Sequence, residues 1–401
     1  MNYLAKTLAL LAICHPALAA ELTLIPGDTV FINPTNPGKN YQDLVLHTVL
    51  ISTGPDESFS LEALRIDLAA GGTVGLSKSL PVDRVVGETQ GLGEMLTYGM
   101  GVFLDAQLLS ASGLEGLFGR EMSLATSASM GPNEVLMLTR QHFSLDFTPD
   151  QLQVSVVGAD KSGKQQTLSA QVAVAPQASA IAYAMPLSGA WLMTSLPSIE
   201  SHHRLAPPSE YAVDFFRTGT SGNIHDGDVL DADNFFGYGA DVMAAADGEV
   251  VFVIDDEVQD RTIFFPRDGE SEDEAGARVQ QHNMQRYASD FARAAAGNIV
   301  TIRHTGPAGA EYSSYGHLKA GSVAVKVGDV VKCGQVIGQV GDTGDSAAVH
   351  LHFQVNAGPN AFMSKSIPVT FADVEETLEG LDPGHFVKKA DLNNLVGQRT
   401  M

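Results

Sequence analysis

The segment VHLHFQV, residues 349–355, limits this chain more than any other. Its β-branched and aromatic residues suit a strand, and in a strand residues two apart share a face. His350 and His352 therefore point to one side, and Leu351, Phe353 and Val355 to the other. Such a strand requires a sheet with an apolar face against a core and an imidazole-bearing face open to a cleft. Two imidazoles side by side there make a metal or acid–base site. A second segment, YAVDFF at 211–216, has the same alternation. Asp214 shares a side with Ala212 and Phe216, opposite Tyr211, Val213 and Phe215. An acid in so apolar a strand is costly to bury unless it is paired or binds a metal.

Two more histidine positions belong with these. In SHHRL, His202 and His203 are adjacent, so in an extended chain they face opposite ways and one of them reaches a common metal. In SYGHL, His317 follows a glycine at an expected strand end. One histidine, the aspartate and a second histidine would supply three N/O ligands for Zn²⁺ and leave a position for water, the makeup of a catalytic zinc site. The other two histidines would then serve as general base and oxyanion donor.

At 401 residues the chain is long enough for two domains. Apolar residues make up 44% and charged residues 18%, which supports sizeable cores and excludes a disordered chain. A formal net charge of −23 opposes binding to nucleic acid or anionic lipid. Residues 1–19 read as a signal peptide: Lys6 precedes a short apolar run, and Ala17-Leu18-Ala19 forms the cleavage signal. Ile13 is bulky for a lipoprotein signal at Cys14. Cleavage leaves one cysteine, Cys333, hence no internal disulfide. No other stretch is apolar enough to span a membrane.

Residues 20–175 alternate, with strands expected at 21–25, 43–52, 60–68, 134–138, 143–147, 151–157 and 167–174. Their spacing fits a β-sandwich, immunoglobulin-like in rhythm, with one or two helices over 85–118. His47 and His142 read as isolated packing residues. Residues 176–185 read as a linker and 186–382 as a second β-rich domain, followed by a tail at 383–401. The second domain is interrupted at 255–297 by an insertion. Its first part, 255–274, holds nine acids against Arg261 and Arg267 and reads as a solvated excursion. A helix follows at 279–296, and from Glu375 on the tail has helical spacing.

Several ordered blocks make the second domain resemble the LytM/lysostaphin family of zinc peptidases. They are HHR before YAVDFF, GYGADVMAAADGEVVFV (237–253), GNIVTIRH (297–304), YGHL (315–318), VKVGDVVKCGQVIGQVGDTG (325–344) and HLHFQV (350–355). The resemblance covers roughly 186–368 and implies an antiparallel peptidase sheet of LytM type with a partly helical insertion; with the sandwich-like N-terminal domain read from strand spacing, the fold expected is mainly β. It implies Asp214 and His352 as metal ligands, His203 as the first ligand with His202 as the alternative, and His317 and His350 as catalytic histidines. It further implies one Zn²⁺ per chain and peptidoglycan peptide crosslinks as substrate. The short signal, the acidic chain and the lack of a recognisable wall-anchoring repeat favour a Gram-negative periplasm, with an extracellular location as the alternative. A non-catalytic peptidoglycan-binding or amidase-activating module is the alternative on the same fold. The chain departs from the family in the ten residues separating His203 from Asp214 and in the long acidic insertion, which would form a rim or flap over the groove.

Overall fold

The computed structural model describes residues 18–34, 42–97, 101–110, 112–176, 179–194, 201–376 and 385–388. The expected signal peptide lies outside them except for Leu18 and Ala19. Strands account for 41% and helices for 19%, so the chain is mainly β as expected.

The first part runs β1 (Ala20–Ile25), β2 (Thr29–Pro34), β3 (Gln42–Thr53), β4 (Phe59–Ala70), β5 (Thr73–Leu80), α1 (Val82–Thr97), α2 (Gly101–Leu108), α3 (Gly113–Phe118), β6 (Ser123–Leu124), β7 (Ser129–Met130), β8 (Glu134–Leu145), β9 (Gln151–Asp160) and β10 (Gln165–Pro176). The two strands expected at 134–147 are one strand, β8, with Arg140 in the left-handed region (φ 50°) near its middle. The strands follow one hydrogen-bonded path, β5-β4-β9-β10-β2-β3-β8-β6, rather than the two separate sheets of an immunoglobulin domain. Strand β3 is buried along nearly its whole length because both its faces are covered. Leu44, Leu46, Val49 and Ile51 join the core shared with β4 and β9, while Leu50 packs with Leu104 and Leu108 of α2.

The second core begins at Tyr183 and Met185, so these residues are not linker: both side chains are fully buried in it. Its elements are β11 (Ala190–Thr194), β12 (Val213–Phe216), β13 (Asp241–Met243), β14 (Gly248–Ile254), α4 (Glu272–Ser289), α5 (Phe291–Ala296), β15 (Asn298–Gly306), β16 (Gly309–Leu318), β17 (Val330–Val331), β18 (Val336–Gln339), β19 (Leu351–Asn356), β20 (Val374–Glu376) and β21 (His385–Lys388). Nine strands form the order β17-β14-β15-β16-β19-β12-β11-β21-β20. In the expected helical tail the described residues are strands instead: β20 pairs with β21, and β21 with β11, because backbone pairing at a sheet edge outweighs local helical spacing; residues 377–384 and 389–401 of that expectation lie outside the described residues. The single helix expected at 279–296 is two. Helix α4 starts earlier, at a capping box of Ser271 and Glu274, with three acids in its first turn favoured by the helix dipole. It stops at Asp290, whose side chain accepts from Arg293 N–H and caps α5.

Candidate active site

The three central strands, β16, β19 and β12, carry the site. Val213 and Phe215 of β12 and Leu351, Phe353 and Val355 of β19 lie in the core. Period-two geometry then turns Asp214 and His352 to the opposite face, and antiparallel pairing sets them directly across from each other. His350 precedes β19 and bridges to Gly341. His317 sits at the end of β16, where Gly316 pairs with His352. At φ 59° His317 occupies a region that non-glycine residues seldom enter, at a cost of about 1–3 kcal/mol.

Asp214 is the centre. Its Oδ2 lies 3.0 Å from His203 Nε2, and its Oδ1 lies 3.1 Å from His352 Nδ1 and 3.6 Å from His350 Nε2. The His317 ring is 4.5 Å from that of His350, and the His203 ring 4.8 Å from that of His352. All five sequence-selected residues therefore converge. His202 also joins them: the segment His202–Leu205 is a 3-10 turn rather than an extended chain. The two adjacent rings consequently lie 3.9 Å apart instead of facing opposite ways. Ligand atoms of His202, His203 and Asp214 fall within 4.8 Å of one another. His203 is buried and His202 exposed.

Burial raises the Asp214 pKa, but hydrogen bonds with His203 and His352 outweigh it and hold the carboxyl well below its ordinary value. Burial pushes the His203 imidazole down to about 4 against the pull of Asp214. Burial also pushes His317 well down and His350 down. His352 moves the other way: burial lowers it, and Asp214 with Gln354 more than offsets this. What raises the proton affinity of this ring also raises its affinity for a cation. The donor set of imidazole nitrogens around an ionised carboxylate is what zinc selects.

Fixed acceptors set the ring orientations. His352 Nε2 is 2.8 Å from Gln354 Oε1, and the Gln354 amide nitrogen is committed to the carbonyls of Pro208 and Ala361 and to Asn356 Oδ1. Gln354 thus accepts from Nε2–H and leaves the Nδ1 lone pair for a metal, the usual outer-shell arrangement. His317 Nδ1 donates to the Thr343 carbonyl (2.7 Å) and His350 Nδ1 to the Ala348 carbonyl (2.8 Å), so both keep their lone pair at Nε2. Phe216 stacks on His350 with ring centres 4.9 Å apart.

These groups line a cavity of about 660 Å³. Its other walls come from α1 and α2, including Leu92, Leu96 and Phe103, and from Tyr287 and Phe291 of the insertion. Sequence reading missed the support behind His203. The next residue, Arg204, is fully buried and reaches Asp43 of β3 (3.1 Å) and Glu210 (3.6 Å). His47, expected to be isolated, pairs with Glu210 at 2.9 Å. No local signal links residues so far apart in sequence. Gln354, by contrast, was legible as the residue two beyond His352 on the same strand face.

Residues 279–363 match the model of Peptidase family M23. The M23 match bears out the resemblance drawn from the motifs. It takes in His317, His350 and His352, while His203 and Asp214 precede it. Among solved structures, the chain is similar to the catalytic domain of the antimicrobial peptidase lysostaphin from Staphylococcus simulans, at 23% identity and a TM-score of 0.22, covering 39% of this chain and 74% of that one. It is similar to Csd3 of Helicobacter pylori at 15% identity and a TM-score of 0.26, covering 90% and 76% respectively. It is also similar to a zinc-containing peptidase from Vibrio cholerae at 14% identity and a TM-score of 0.24, covering 79% and 77%. No curated protein matches the chain. Among the described residues no helix is long and apolar enough to cross a membrane.

Proposed function

We propose that the protein is an exported zinc endopeptidase that hydrolyses peptide crosslinks of peptidoglycan in the periplasm. The observation that carries this reading is the convergence of His203, His317, His350 and His352 on Asp214 in one cavity. His203, Asp214 and His352 are assigned as ligands of one Zn²⁺ per chain. Bound there, zinc supplies Lewis acidity, polarising a carbonyl and lowering the pKa of a water to about 7. His317 and His350 present neutral Nε2 lone pairs, because burial lowers both pKa values and a carbonyl takes each Nδ1–H. One of them accepts the attacking water's proton at Nε2; the other is assigned to the developing oxyanion, to which it donates only after itself taking up a proton at Nε2. The domain division, 20–175 and 186–382 with the insertion at 255–297, belongs to the same proposal, with its second core extended to Tyr183.

The test uses the full chain. Metal analysis is expected to find about one zinc per chain, and incubation with purified sacculi to release uncrosslinked muropeptides. Stoichiometric zinc without cleavage would favour the non-catalytic module instead. Gln354→Leu is expected to lower zinc affinity about 10–100-fold, measured by chelator competition. Unchanged affinity would remove Gln354 from the site.

A further inference from the structure

The insertion at 255–297 is only partly a solvated excursion. Arg261, one of its two early arginines, is 7% exposed and fully engaged. Nε donates to the Val229 carbonyl (2.8 Å), Nη1 to Asp342 and Nη2 to the Ala347 carbonyl (3.2 Å), and the guanidinium lies 4.6 Å from the Phe235 ring centre. Arg261 therefore clamps both ends of the segment 342–347 that precedes His350.

The rest of that segment is gripped from the same side. Gln259 donates to the carbonyls of Gly344 (3.2 Å) and Ser346 (3.4 Å). Asn283 and Tyr287 of α4 donate to the two carboxylate oxygens of Asp345. Gly297, where the insertion ends, has φ 60° and packs so closely that a Cβ there would come within 2.3 Å of the Thr343 carbonyl carbon. Thr343 lies within this segment, and Ala348 directly follows it. Their carbonyls are the acceptors that orient His317 and His350.

We infer that Arg261 is a positioning residue of the site: it holds the 342–347 segment so that the carbonyls of Thr343 and Ala348 keep His317 and His350 as Nδ1–H tautomers. The catalytic meaning of those tautomers rests on the function proposed above, whereas the tautomers themselves do not. A fork that bridges a carboxylate and two carbonyls cannot be replaced by a lysine point charge.

The experiment takes full-length protein labelled with ¹⁵N-histidine, with the His317 and His350 signals assigned by single substitution. Wild type is expected to show a protonated Nδ1 and an unprotonated Nε2 for both. In Arg261→Lys and, more mildly, Gln259→Ala, these signals are expected to move toward tautomer averaging. Muropeptide release should fall about 10²-fold in kcat for Arg261→Lys, with KM within about twofold, as expected when reacting groups are misplaced by an ångström. Arg261→Ala serves as the stronger variant where it folds. Unchanged tautomer signals in folded Arg261→Lys and Gln259→Ala overturn the inference. Absence of peptidase activity in wild type would sink the proposed function and leave the tautomer result to decide this one.

Discussion

Asp214→Asn is expected to leave the protein folded but without bound zinc, and to abolish release of muropeptides. The substitution keeps the side chain's size and removes its charge. His203 and His352 lose the carboxylate that each contacts at about 3 Å, and a metal would lose its only anionic ligand in the proposed set. Loss of an outer-shell partner costs about 10–100-fold in affinity, and loss of a direct ligand should exceed that. Zinc per chain after dialysis is the measurement, and retention of near-stoichiometric zinc would refute the ligand assignment. The substitution also changes acid stability in metal-free protein. His203 and His352 hold the folded carboxyl below its ordinary value. Its ionised form therefore contributes stability above the unfolded pKa of about 4, and that contribution is lost as pH falls through the depressed folded value. Asp214→Asn removes this part of the acid transition.

The second large effect is expected from Arg204→Ala, at the residue after the proposed ligand His203. Arg204 is fully buried between Asp43 of β3 and Glu210, and Glu210 also pairs with His47. Burial pushes the Asp43 carboxyl up to about 6 even with Arg204 beside it, so this carboxylate is poorly tolerated there. Burial works against Glu210 as well, but His47 and Arg204 bring its pKa below the ordinary value. Removing the arginine leaves buried Asp43 without its ion-pair partner and Glu210 with His47 alone, a loss of about 3–5 kcal/mol in denaturant unfolding. Arg204→Ala with Asp43→Ala should be non-additive by about 0.5–3 kcal/mol. Additivity would mean that the pair does not couple the two parts of the chain. Because His203 is the preceding residue in the same 3-10 turn, zinc affinity is expected to fall with stability.

Local periodicity carried much of the site. The alternations in YAVDFF and VHLHFQV placed Asp214, His350 and His352 opposite their apolar neighbours, and those neighbours form the second core. Other readings failed where local pattern competed with distant partners. Adjacent His202 and His203 faced apart only for an extended chain, and the 3-10 turn brings both toward Asp214. Among the described residues after Glu375, helical spacing yielded to strand pairing at the sheet edge. Ser271 and Glu274 already contained the capping box that starts α4, a signal passed over within the run of acids.

The sequence by itself determined which side chains share a strand face, because alternation is a property of neighbouring residues. It determined the mainly β character of both parts for the same reason. Tertiary structure decided the pairing that sets Asp214 across from His352. It also decided the burial of Arg204 against Asp43 and the clamp of Arg261 on the segment 342–347. Each joins residues 80 or more positions apart. Their partners are selected by registry, desolvation and packing of the assembled chain, which no local pattern contains.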